Sequence, residues 1–413
     1  MHSSFCISAP RWAFPERRAI LSSSGADEQG EGCQNRCNGP EGDLSFLHRP
    51  SATPLTVISK LKKLALKLGL SFVVLMIAME LTLRLMGYAN GPSQYYDPDI
   101  GFRFFPNQER YLVGPKGEKL ADMITNEMGY RGPWYAEPKP EGVQRVFCLG
   151  DSFTFGWGVA GEDAFPIQMQ ALLAQRATAA GGKPAQVYNL GVPGYNTSNE
   201  LNTYLQHARP LQPDVVVLSY FQNDLQPDMG GPRYTDSFLF KVMGKTAIAD
   251  AFHKHLRRKI PLFNAGRTPE MKAYAQFYKE HVVQTRENPK HPESRPYWDD
   301  SMGALRDLVQ AVRSDGAKIM LVVFPGAHQV ATGRKLLDSG GVEAVGDAAA
   351  FPMQAELRAV ADELELPMLD LILPFAQSKA KAFGELDNTH PSAHGYLFSS
   401  RLIVERLVEL GYL

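Results

Sequence analysis

Cysteine is scarce in this 413-residue chain, which has only Cys6, Cys33, Cys37 and Cys148. Three of the four precede the body of the chain, so no disulfide framework can hold that body together. Cys33-x-x-x-Cys37 could be half of a metal site, but no second Cys or His pair stands near it, and both residues read better as incidental. Cys148 falls in an apolar run and reads as a buried, inert thiol. A charge excess is also missing. The formal net charge is -1, which gives no broad attraction to nucleic acid. Neither Gly-x-Gly-x-x-Gly nor a P-loop occurs, and no His/Cys/Asp cluster has metal-ligand spacing, so no cofactor and no metal are expected. No internal repeat is visible. What is present is 44% hydrophobic and 21% charged residues, enough for a sizeable core in one large domain with additions or in two average ones.

Residues 1–54 show no sustained apolar period and are rich in Ser, Gly, Pro, Cys and Arg. They read as a disordered extension, or as a stretch ahead of the true start codon. Lys60, Lys62, Lys63 and Lys67 then lead into an apolar segment. Taken from Leu64 to Met86, this segment is about 34 Å long at about 1.5 Å per residue, enough to cross a bilayer. Glu80 and Arg84 stand four apart near its end and are expected to pair. A membrane anchor helix over 60–88 is the expectation. The preceding lysines favour a cytoplasmic N-terminus, which puts the body on the periplasmic or extracytoplasmic side. A cleaved signal peptide and a buried amphipathic helix are the alternatives; the charges after the apolar centre oppose the former. Residues 89–143, rich in Gly, Pro and aromatics with a turn at Asn126 to Gly132, read as an approach arm.

From 144 onward the pattern alternates. Apolar, β-branched runs at 145–149, 186–189, 214–220, 318–324 and 368–371 are interleaved with helical patterns at 165–178, 197–207, 301–313 and 353–364. A last helical pattern follows Pro391. Five buried strands with crossover helices predict a doubly wound, flavodoxin-like parallel sheet. Thr197-x-x-Glu200 reads as a capping box. The order is interrupted by an insertion at about 225–297, with helical stretches, basic residues and aromatics such as Phe277. It leaves from a strand end, where ligands bind in such sheets, so it is either a substrate-facing lid or a solvated elaboration.

Four blocks carry chemistry, each at a strand end. Gly150-Asp151-Ser152, followed by Thr154 and Gly156, places a hydroxyl where an apolar strand breaks into a tight turn. A second Gly-rich turn, Gly191-Val-Pro-Gly194, allows close approach of a backbone N–H to a bound anion. A third run ends in Phe221-Gln-Asn223-Asp224, where the Asn amide is a donor and the carboxylate can brace the turn. The fourth is Asp387-Asn-Thr-His390-Pro391. A neutral hydroxyl needs a base near pH 7; His390 can accept its proton and Asp387 can orient the ring. Among the other histidines, His394 is the one rival to His390 and His328 could line a pocket, while His207 and the insertion histidines are expected at the surface.

These blocks, in this order, resemble the SGNH (GDSL) hydrolase superfamily over roughly 145–413, apart from the insertion. The resemblance implies a three-layer α/β/α fold, with a five-stranded parallel sheet and residues 144–413 as the hydrolase domain. It also implies a serine ester hydrolase with Ser152 as nucleophile and Asp387 and His390 activating it. The amides of Ser152 and Gly194 with the Asn223 side chain would form the oxyanion hole. One departure stands out: the family's third block is usually Gly-x-Asn-Asp, and Phe221 occupies the Gly position. The expected substrate is an acylated small molecule, envelope glycan or lipid, with the membrane as a partner through the N-terminal helix. An O-acyltransferase using the same residues and a non-catalytic binding module are the competing readings.

Overall fold

The computed structural model describes residues 54–85, 94–113, 119–135, 137–227, 246–248, 251, 273, 276–277, 279–281, 287–340, 350–378, 382–384 and 389–413. The expected extension at 1–54 lies outside them apart from Pro54, as does most of the insertion. Helix α1, Pro54–Leu85, contains one stretch, Ile58–Leu85, long and apolar enough to cross a membrane. Leu66, Leu68, Leu70, Phe72 and Leu75 are all exposed along it, a surface that water disfavours. Glu80 and Arg84 pair at 2.8 Å, as their spacing predicts. The Glu80 carboxylate also accepts the backbone N–H groups of Ala247 and Ile248 at 2.9 and 3.1 Å.

The arm contains two antiparallel hairpins: β1 Gln94–Asp97 with β2 Gly101–Phe104, and β3 Tyr111–Val113 with β4 Lys119–Asp122. The expected turn after Asn126 is present, with its side-chain oxygen accepting the N–H groups of Met128 and Tyr130.

The main sheet consists of β5 Gln144–Gly150, β6 Ala185–Gly191, β7 Val215–Tyr220, β8 Lys318–Val323 and β9 Met368–Asp370. All neighbours are parallel and the spatial order is β6-β5-β7-β8-β9, the flavodoxin-like order. The near-continuous apolar runs in these strands have a simple cause, because helices cover both faces. On one face, Phe147, Leu149, Val216, Leu218 and Leu321 pack with Trp298, Met302, Leu305 and Leu308 of α5 (Arg295–Ser314) and with Leu357 of α7 (Pro352–Glu363). Ile100, Phe102, Phe104 and Tyr130 of the arm join that cluster. On the other face, Val146, Cys148, Val217 and Met320 pack with Phe165 and Met169 of α3 (Phe165–Ala180), Val330 of α6 (Ala327–Asp338), Phe375 of α8 (Ile372–Gln377) and Ile403 of α9 (Ala393–Glu409). Neighbouring residues along each strand therefore serve different cores.

The capping expectation at Thr197 needs correction. The N-cap of α4 (Thr197–Thr203) is Asn196, whose side-chain oxygen accepts the Asn199 N–H while Asn199 Oδ1 accepts the Asn196 N–H. Thr197 instead donates its hydroxyl to Asp224 Oδ1 at 3.1 Å, and Glu200 is fully buried. Interior packing has claimed both residues that the surface motif would have used.

Candidate active site

Strand β5 lies at the point where the strand order reverses, and its carboxyl end runs directly into Asp151 and the short helix α2, Ser152–Phe155. The turn depends on Gly150. Its φ is +153°, and a Cβ there would lie 2.2 Å from both Ser219 Oγ and Thr154 Oγ1. Those two hydroxyls are hydrogen-bonded to each other beneath the turn, and Thr154 also donates to the Leu149 carbonyl at 3.2 Å. Asp151 caps the helix by accepting the Phe153 N–H at 2.8 Å.

Across the pocket, Pro391 and the Ser392-capped start of α9 hold His390, whose Nε2 lies 2.8 Å from Ser152 Oγ. The His390 ring rests 5.0 Å from the Phe153 ring, centroid to centroid. The hydroxyl and imidazole are 238 positions apart in sequence and in direct hydrogen-bond contact. Asp387, the expected third member, lies outside the described residues. His394, the rival base, is exposed on α9 and is not among the pocket-lining residues.

Ser152 and His390 open into a cavity of about 310 Å³ that Gly194 and Asn223 also line. Gly194 has φ +90°, a conformation that L side chains rarely adopt, so a side chain is excluded there by the backbone rather than by lack of space. The Asn223 amide donates to the Tyr195 carbonyl at 3.3 Å. Phe221 is buried against Phe153, and its backbone N–H is accepted by Asp224 Oδ2 at 2.8 Å. The bulkier third block therefore retains its Asp-braced turn.

Below the pocket, Asp151, Glu200 and Asp224 are all buried. Burial, and next the negative charges of Asp224 and Asp151, hold the Glu200 carboxyl well above the usual carboxylate range. Neither Glu200 oxygen has a hydrogen-bond donor among the described residues. Burial first, and then the Asp151 charge, also raise the Asp224 carboxyl, and two such buried neighbours favour a proton shared between them.

Three features were not evident in the sequence. Arg131, only 2% exposed, donates to the carbonyls of Phe155, Gly156 and Val159 and to the Asp122 side chain, anchoring the arm to the segment after Ser152. His207, expected at the surface, is half-buried and its Nδ1 is hydrogen-bonded to the Tyr130 hydroxyl at 2.6 Å. Burial, helped by the Arg103 cation, pushes its pKa down to about 4. Finally, Phe277, Glu287 and Tyr297, from the insertion and its junction with α5, line the cavity. The two insertion histidines among the described residues are also not free surface groups. His281 and His291 are half-buried, and with Glu293 they bring possible metal-ligating atoms within 4.8 Å of one another. Glu293 is already paired with His281 Nε2 at 2.8 Å.

Residues 148–397 match the GDSL-like Lipase/Acylhydrolase family. The chain belongs to that family and is a hydrolase acting on ester bonds. Among solved structures it is similar to a GDSL-like lipase from Bacteroides thetaiotaomicron, at 14% identity over 67% of this chain and 93% of that one, with a TM-score of 0.34. It is also similar to the lipase/acylhydrolase from Enterococcus faecalis, at 17% identity over 64% and 95% with a TM-score of 0.35. An acetyl xylan esterase gives 16% identity over 64% and 99%, with a TM-score of 0.35. No curated protein sequence matches the chain.

Proposed function

We propose that this protein is a membrane-anchored serine esterase that works through an acyl-enzyme and removes acyl or acetyl groups from an envelope glycan or lipid. The observation that carries the reading is the 2.8 Å contact between Ser152 Oγ and His390 Nε2 at the carboxyl end of the central strand. Ser152 attacks the ester carbonyl while His390 takes its proton, and Asp387 orients the imidazole. The amides of Ser152 and Gly194 and the Asn223 side chain receive the developing oxyanion. His390 then protonates the leaving alcohol, and water resolves the acyl-enzyme by the same route. In this reading residues 60–88 are the anchor, 89–143 the arm and 144–413 the hydrolase domain with its insertion.

The test is turnover of p-nitrophenyl esters and acetylated sugars by the wild type and Ser152→Ala. The variant should remain folded and lose about 10⁴-fold or more in kcat. Undiminished activity would refute the mechanism. For the topology, a C-terminal alkaline phosphatase fusion should be active, because that reporter works only outside the cytoplasm. An inactive, stably made fusion would reverse the orientation.

A further inference from the structure

Glu287 is a carboxylate out of place. It is 4% exposed, yet it lines the same cavity as Ser152 and His390, and it comes from the insertion rather than from the strand ends that supply the other groups. Its Oε2 accepts Gln329 Nε2 at 3.1 Å. Gln329 is itself fixed, since its oxygen accepts the Gly326 N–H and its amide also donates to Gln354. The carboxylate is thus held in orientation by a buried amide relay. Its Oε1 has no hydrogen-bond partner among the described residues. His328 Nε2 lies 3.4 Å from that oxygen, but not in hydrogen-bonding alignment. A buried charged oxygen left unsatisfied is costly, so one held in place on a pocket wall calls for a partner that arrives with the substrate.

The chemistry narrows that partner. An anionic headgroup would be repelled by Glu287. An ammonium can only donate, and would leave the His328 nitrogen unmatched whenever that nitrogen bears a proton. A hydroxyl donates its one proton to the carboxylate and accepts from His328 when Nε2 carries the proton, so in that tautomer it matches both groups. The remaining wall supports the same choice. The Phe277 and Tyr297 rings, with centroids 5.7 Å apart, line the cavity beside Glu287 and offer apolar faces to the C–H surface of a sugar ring.

We infer that Glu287 is a specificity-determining residue that accepts a free hydroxyl of a sugar ester, making an O-acylated carbohydrate the substrate class of this pocket. The inference rests on the serine esterase reading for its chemistry, but its recognition step can be measured without turnover.

The wild type is first compared on a mono-acetylated methyl glycoside and on cyclohexyl acetate, a hydroxyl-free ester of similar size. The sugar ester should be favoured about tenfold or more in kcat/KM. In Glu287→Gln that preference should fall by about tenfold, chiefly through KM. Equal use of the two esters by the wild type, or an unchanged preference in the variant, overturns the inference, and the first of these needs no variant to fold. Calorimetry then separates the two readings. Binding of the same glycoside to Ser152→Ala should weaken about tenfold when Glu287→Gln is added. Loss of that difference removes the role of Glu287 and leaves the esterase reading intact. Retained binding by a wild type that hydrolyses neither ester removes the esterase reading and leaves recognition of the sugar in place.

Discussion

The ring of Phe221 packs on that of Phe153 with centroids 4.3 Å apart, directly beneath the pocket that Ser152 and His390 share. Phe221 stands where the resemblance to the family's third block implies glycine, and the contact shows how the larger residue is absorbed. It fills space between the Ser152 turn and the third block while its backbone N–H still bonds Asp224.

Truncating this ring tests both roles. Phe221→Ala should cost about 3 kcal/mol of stability in urea denaturation, as deletion of a buried aromatic side chain does. Because Phe221 also lines the cavity, the variant should accept longer p-nitrophenyl acyl chains than the wild type. An unchanged chain-length profile would mean that Phe221 packs beside the acyl path without bounding it.

Arg131 should matter to stability more than its position in an irregular arm suggests. Its guanidinium bonds the half-buried Asp122 carboxylate and, in buried surroundings, the carbonyls of Phe155, Gly156 and Val159. Removing one partner of a buried charged network leaves the others unpaired, so Arg131→Ala should lose about 3–5 kcal/mol in denaturant melts. Arg131→Lys keeps the charge but cannot reproduce the planar fork, and should recover only part of the loss. A loss below about 1 kcal/mol for Arg131→Ala would show that water replaces the clamp.

His207 gives the fold an acid sensitivity of definite sign. Its folded-state pKa is about 4 against 6.5 for the free side chain, so between those values the unfolded chain binds more protons than the folded one. The stabilisation is complete above pH 6.5 and is lost as pH falls towards 4. With allowance for partial solvent contact it amounts to about 2–3 kcal/mol at most. His207→Gln removes the titration and keeps an acceptor for Tyr130. Between pH 7 and 4.5 the wild type should therefore lose about 5 °C more in melting temperature than the variant. Parallel melting curves would refute the account.

Much of this architecture was legible in the linear pattern, and what was missed has a common cause. The five strands stood out because both faces of each are covered, which writes near-continuous apolar runs such as Val215 to Leu218 into the chain. Ser152 and His390 were legible because each sits in a turn that needs particular residue types, glycine at Gly150 and proline after His390. Glu287, Arg131 and His207 left no such mark. Each is an ordinary polar residue in its local sequence, and its role arises only from distant partners, Gln329, Gly156 and Tyr130 respectively. The Asn196 cap was displaced by one position because Thr197 and Glu200 look like surface capping residues until α4 is docked against Asp224.

The buried Glu200–Asp224 pair makes the opposite pH prediction to His207. Glu200 has its folded-state pKa raised, by burial first and then by its acidic neighbours, so above its ordinary value of 4.5 the folded protein retains a proton that the unfolded chain releases. Stability from this group is therefore greatest at low pH and declines as pH rises. Glu200→Gln supplies permanently, as an amide N–H, the donor that the shared proton provides, with nearly the same shape. The variant should unfold at higher urea than the wild type at pH 8.5, and the gap should narrow towards pH 5. Asp224 must still accept the Phe221 N–H and the Thr197 hydroxyl for the third block to hold its turn, so kcat should remain within about threefold of wild type if the glutamine donates as the acid does. If the wild type were instead the more stable protein at pH 8.5, Glu200 would be ionised in the fold and the shared proton would have to be abandoned.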